Sequence, residues 1–248
     1  MSGHSKWSSI KHKKGVADAR RGKLFSKLSR AITVAAKEGG GDPAANATLA
    51  AAIQKAKDNS MPKDNIERAI QRGAGGGEGE AFETIAYEGY GPSGVAVLVE
   101  AMTDNRNRTA SEVRHIFTRN NGKLGESGSV AWMFERKGSI VVDAGATDED
   151  TLMTLAIDAG AEDVNQDEST YEIVTEPARL MAVRGALEEA GIALTSAELA
   201  MLPKSTIKLE GSDAKKMMRL MEALEDNEDV QEVHANFDIS EEVMEALA

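Results

Sequence analysis

The sequence predicts an α+β protein of three domains: an N-terminal three-helix bundle followed by two ferredoxin-like α/β domains, one inserted in the other. Three observations predict this. Apolar residues recur at spacings of three and four from residue 16 to about 72; the stretch GAGGGEGEAF then intervenes, and the period changes to two. Residues 139–202 run through a full β-α-β-β-α-β cycle, the order that builds one sheet with two helices on one face. The segments on either side of that cycle, strand-strand-helix-strand before it and strand-helix-strand after it, each leave a sheet face uncovered and complement one another. The expected domains are 1–78, a discontinuous pair 79–137 and 204–248, and an insert 138–203.

Within the first domain, residues 1–15 are polar with no repeated apolar face and are expected to form an arm. Leu24, Phe25, Leu28 and Ile32 set the stripe of a helix from Val16 to about Lys37, which Gly39-Gly40-Gly41 should stop. Asp42 with Pro43 behind it reads as the cap of a second helix ending near Asn59. A third begins near Pro62 and ends near Gly73. In the second domain, ETIAYEGYG and GVAVLVEAMTD read as strands around the turn GPSG. TASEVRHIFTRNNG reads as a helix with a Thr109/Glu112 capping box and Gly122 at its end. GSVAWMFERKG reads as a further strand, with Trp132 and Phe134 on one core-facing side. In the tail, STIKLEG and DVQEVHANFD flank a helix from Ser212, and a last helix is expected from Ser240.

Composition narrows the function classes. The 248 residues hold no cysteine, which excludes disulfides, thiolate nucleophiles and cysteine metal ligands. The basic start lacks the apolar core of a signal peptide and no run approaches 18 apolar residues, so a cytoplasmic protein without membrane contact is expected. The net charge is −12, yet residues 1–37 carry ten Lys or Arg against one acid, Asp18. Residues 73–248 carry 14 basic and 35 acidic side chains.

The basic head, GHSKWSSIKHKKGVADARRGKLFSK, fits a phosphate backbone, which attracts clustered cations by counterion release. Lys6, Lys11, His12, Lys13, Lys14, Arg20, Arg21, Lys23, Lys27 and Arg30 are the candidate contacts, and Trp7 could stack on an unpaired base. A solvated basic tail is the plain alternative. A second candidate is TDNRNRT, where Arg106 and Arg108 precede a helix that carries Arg114 and Arg119. They read equally as an anion-binding patch or as a polar loop in which Arg106 or Arg108 pairs with Asp104. GKLGESGSVAWMF does not match the phosphate-loop spacing and reads as a tight turn entering a strand. EDNED at 225–229 reads as a solvated helix end. The four histidines form no HExxH, no GxSxG elbow is present, and no strand precedes the glycine cluster at 73–77, so no catalytic residue, metal or cofactor is expected.

These same stretches carry a resemblance. The opening GHSKWSSIKHKKGVADARRGKLFSK, the segment DNSMPKDNIERAIQRG and the run YEGYGPSGVAVLVEAMTDNRNRTASEVRHIFTRNNGKLGESGSVAWMFERKG resemble the YebC family over essentially the whole chain. Ala31 stands where many members carry an acid. The resemblance implies a helical N-terminal domain with two α/β domains around a cleft and no catalytic residue. It also implies a cytoplasmic protein that binds DNA and regulates transcription. Other members resemble ribosome-associated translation factors that aid difficult stretches such as consecutive prolines. The partners implied are therefore DNA or ribosomal RNA, with a ribosome or protein partner beside them.

Overall fold

A computed structural model describes residues 18–75, 82–167, 169–240 and 242–243, with side chains from residue 21 onward. Residues 76–81 of the expected glycine-rich linker and nearly all of the expected terminal helix lie outside these residues. Among the described residues there are seven α-helices, and none is long and apolar enough to cross a membrane.

Three helices come first: α1 (Asp18–Gly39), α2 (Ala47–Asp58) and α3 (Lys63–Ala74). Leu28, Ile32, Leu49, Ile53, Ile66 and Ala69 form their shared core, the stripe that the spacing predicts. The cap of α2 differs from expectation. Asp42 instead closes a turn, its Oδ1 accepting the Ala44 N–H at 3.0 Å. Asn46 caps α2 by accepting the Leu49 N–H at 3.0 Å and also donates to the carbonyls of Ala35 (2.8 Å) and Gly40 (2.9 Å). One buried amide thus satisfies the end of α1 and the start of α2 together, which a carboxylate without donors cannot do.

The first sheet is antiparallel with strand order β3-β1-β2-β9: β1 (Glu83–Tyr90), β2 (Ala96–Thr103), β3 (Lys123–Leu124) and β9 (Val230–Ala235). Tail strand β9 therefore pairs directly with β2, Val99 opposite Val233. Helices α4 (Arg106–Arg119) and α7 (Gly211–Glu225) cover one face, where Val97, Val99, Val113, Phe117, Met217 and Leu220 are buried together. The second sheet has β4 (Phe134–Asp143), β5 (Ala161–Asp167), β6 (Thr170–Thr175) and β7 (Leu194–Pro203) in the order β5-β6-β4-β7. That is the ferredoxin-like order, and α5 (Glu149–Ala159) and α6 (Leu180–Glu189) bury Leu152, Val183 and Leu187 against Ile140, Val142 and Ile173. A two-stranded parallel pair, β8 (Ile207–Lys208) with β10 (Phe237–Asp238), finishes the tail.

Two local readings are corrected. Helix α4 starts three residues before Thr109: Asn105 is the cap, accepting the Arg108 N–H at 3.1 Å, while Thr109 is fully buried one turn inside. The strand expected from Gly128 starts only at Phe134, because residues 131–133 form a 3-10 turn. That turn breaks the alternation, so Phe134 is buried beside Ala96, Leu98 and Val130 while Trp132 is 67% exposed.

Gly73 lies where α3 meets α1. A Cβ there would stand 2.3 Å from the Thr33 carbonyl oxygen and 2.8 Å from Ala36 Cβ. Gly73→Ala should therefore lower the urea midpoint, with a cost of about 1–3 kcal/mol from overpacking. Gly185→Ala, where open space surrounds the position on α6, should raise it.

Candidate nucleic-acid interface

Of the predicted contacts, Lys6, Trp7, Lys11, His12, Lys13 and Lys14 lie outside the described residues, as does the side chain of Arg20. Arg21 is exposed on the first turns of α1. The next three cations on that helix do not project into solvent as a free row. Lys23 Nζ donates to the Asp226 carbonyl (3.2 Å) and Lys27 Nζ to the Glu225 carbonyl (2.5 Å), both at the C-terminal end of α7. Arg30 donates to the carbonyls of Met102 and Glu228, both at 3.0 Å, and to Asp229 Oδ1 at 3.1 Å, with its guanidinium 4.6 Å from the Phe82 ring centre. Carbonyls at a helix end carry partial negative charge, so this stripe finds its counter-charge within the protein.

Asp229 is the acceptor at the centre, and it is only 4% exposed. Beyond Arg30 on Oδ1, its Oδ2 accepts from Arg108 (2.8 Å) and from the Thr109 hydroxyl (2.7 Å). Burial pushes the carboxyl up, but the bonds from Arg108 and Thr109 and the charges of Arg108 and Arg30 outweigh it. The carboxyl is held below its ordinary range. Arg108 also pairs with Asp104 at 2.9 Å, the loop pairing weighed above. Arg106 stays at the surface, 62% exposed and 3.6 Å from Glu83. The structure thus brings Arg30 and Arg108 together on one carboxylate and leaves Arg106 apart from them.

Sequence reasoning missed Asp229, taking it with EDNED as solvated. No local signal marked it, because strand alternation puts the residue before an inward Val230 on the opposite face. Its partners, 121 and 199 residues away, could not be read from spacing.

Further along α4, Arg114, His115, Thr118 and Arg119 are exposed with Arg106 and Asn107. The helix has one acid, Glu112, which accepts from Asn227 Nδ2 at 2.8 Å. This is a cationic helix face within the acidic part of the chain. A separate polar cluster joins the three domains. Lys55 of α2 bonds Glu232 of β9 and lies 2.9 Å from Glu198 of β7, while Arg184 of α6 makes a two-pronged pair with Asp58 at 2.7 and 2.9 Å. Burial would lower the Lys55 pKa, but the two carboxylates outweigh it and raise it. Glu100, Glu232 and His234 have ligand atoms within 4.8 Å of one another, a set that could hold a cation. The Lys55 ammonium already supplies positive charge to it.

Removing the Asp229 carboxylate takes away the buried acceptor that Arg30 and Arg108 share. Asp229→Ala should cost roughly 3 kcal/mol in chemical denaturation, whereas Arg106→Ala should stay within about 0.5 kcal/mol. Because Asp229 titrates lower folded than unfolded, its contribution is complete above the unfolded value of about 3.9 and is lost as pH falls through the folded one. The stability gap between wild type and Asp229→Asn should therefore narrow below about pH 4, measured by denaturation from pH 7 to 3.

Residues 5–76 match the family model for the TACO1/YebC protein N-terminal domain, and residues 82–237 match that for the TACO1/YebC second and third domain. The chain is 62% identical to a protein of Rubrobacter xylanophilus and 58% identical to one of Desulfotalea psychrophila, each match covering 100% of both chains. Both relatives are named probable transcriptional regulatory proteins. The structure is similar to the crystal structure of a conserved hypothetical protein from Aquifex aeolicus. The TM-score is 0.82 at 52% identity, covering 93% of this chain and 95% of that one.

Proposed function

The chain belongs to the TACO1/YebC family, and from that premise we propose that it is a non-enzymatic, cytoplasmic nucleic-acid-binding regulator that acts on DNA to control transcription. The observation that carries this reading is the cationic surface left after the domains have docked. Among the described residues it comprises Arg21 and the α4 groups Arg106, Arg114 and Arg119, in a chain of net charge −12 whose sequence before Arg21 is itself basic. The acidic faces repel phosphate, so contact is polarised, with the basic head inward and the acidic body outward. Arg30 and Arg108 position the interface by holding α1 against α4, and Lys23 and Lys27 support that docking.

A second reading, a ribosome-associated translation factor on ribosomal RNA, is favoured by the chemistry of α4. Arginine is the commonest of its exposed residues, suited to phosphate, and Asn107 is its single exposed amide suited to a base edge.

Crosslinking in growing cells, with sequencing of the bound nucleic acid and sedimentation of the same lysate, separates the two. Recovery of promoter DNA away from ribosomes supports transcriptional control, and recovery of ribosomal RNA in ribosome fractions supports the translation reading. In purified protein, Arg114→Glu with Arg119→Glu should weaken duplex binding and flatten its salt dependence by about 0.9 in log–log slope per lost phosphate contact. The melting temperature should be unchanged, because both side chains are exposed. An unchanged slope would remove α4 from the interface.

A further inference from the structure

We infer that Tyr90 and Trp132 form a second binding site, a stacking platform for one unpaired base of a single-stranded nucleic acid; this rests on the nucleic-acid reading and adds the ligand class for a surface that reading leaves unused. Trp132 is 67% exposed and Tyr90 38% exposed. Both point at one acceptor: Trp132 Nε1 donates to the Ser129 carbonyl at 3.2 Å and the Tyr90 hydroxyl to the same oxygen at 3.0 Å. The two aromatic side chains are therefore neighbours, held from the polar end.

The base beneath them is stiff. The buried Glu88 carboxylate accepts the backbone N–H groups of Gly128 (2.6 Å), Val130 (2.7 Å) and Ala131 (2.7 Å). Burial alone would raise the Glu88 pKa, but these three bonds lower it, so the carboxylate stays charged and clamps the loop. Gly125 lets the loop close, since a Cβ there would stand 2.6 Å from Ser129 Oγ. Val130 and Phe134 on either side of Trp132 are buried against the sheet. The indole is thus fixed before any ligand arrives, which lowers the ordering cost of binding.

The ligand class follows from what remains unsatisfied. A proline-rich peptide offers carbonyls that need donors, and both donors here are already committed to Ser129. What is left is aromatic face, which suits a base. Lys123 lies directly across the strand pair from Tyr90, and the Lys204 N–H bonds the Met133 carbonyl at 2.9 Å, which places two exposed lysines beside the platform for adjoining phosphates. Glu126 and Glu135 are exposed nearby and interrupt any long phosphate track. The site therefore takes a single splayed base and not a duplex backbone.

The chain has two tryptophans, so full-length Trp7→Phe protein reports on Trp132 alone. Anisotropy of a labelled 12-nucleotide RNA reads binding, indole fluorescence reads the platform, and the same sequence as a duplex and a proline-rich peptide serve as competitors. Expected are RNA binding with Trp132 quenched, and a loss of single-strand affinity of about 5- to 100-fold in Trp132→Ala with duplex affinity and melting temperature unchanged. Trp132→Phe should recover part of the affinity. RNA binding with Trp132 unquenched overturns the platform while leaving the nucleic-acid reading intact. Quenching by the peptide but not by RNA assigns the platform to a peptide and overturns it as a base site. Absence of binding to both RNA and duplex overturns the nucleic-acid reading and the platform with it.

Discussion

A single carboxylate, that of Asp229, sets how the helical domain sits on the sheets. It is buried, and a buried charge is tolerated only where it is paired and hydrogen-bonded. Arg30 reaches it from α1, Arg108 and Thr109 reach it from α4, and Arg30 continues to the carbonyls of Met102 and Glu228. Four parts of the chain converge on one side chain: α1, the end of β2, the start of α4 and the loop before β9. Each supplies a donor or acceptor that would otherwise be stranded, so the arrangement is specific in a way that apolar packing alone is not.

The sorting of charge along the chain gains a second meaning from this junction. A basic N-terminal region beside an acidic body reads first as a division between ligand-facing and solvent-facing surfaces. Part of that division is internal complementarity. Lys23 and Lys27 close the C-terminal end of α7, and Arg30 answers the acidic stretch that follows it. Cations used this way are partly desolvated and geometrically committed, so they fix the frame from which the remaining ones project. Among the described residues, Arg21 and, on α4, Arg106, Arg114 and Arg119 lie outside that frame and stay exposed.

A second polar junction braces the far side of the helical domain. Lys55 spans Glu198 of β7 and Glu232 of β9, so the single helix α2 touches both sheets through one ammonium, while Asp58 holds Arg184 of α6. These contacts also hold β7 of the second sheet near β9 of the first. The sheet surface opposite α4 and α7 is closed there by Val130 and Phe134, and it is the tight turn between them that turns Trp132 outward.

Much of the fold could be read from the residues alone. Helical and strand periods, the change between them at the glycine-rich stretch and the β-α-β-β-α-β cycle are local patterns, and each reports which face of an element is apolar. The tail strand β9 pairs with β2 of the first sheet, Val99 opposite Val233. The sequence by itself also determined the family and the uneven distribution of charge. Only the tertiary structure decided which charges are spent. Arg30 and Asp229 are 199 residues apart, and no period or spacing encodes a contact at that distance. It likewise decided that Asn46 and not Asp42 caps α2, and that Trp132 faces water while Phe134 does not. In each case the outcome depended on which unsatisfied polar groups and which apolar surfaces the rest of the chain brought alongside, a quantity that exists only once the chain has folded.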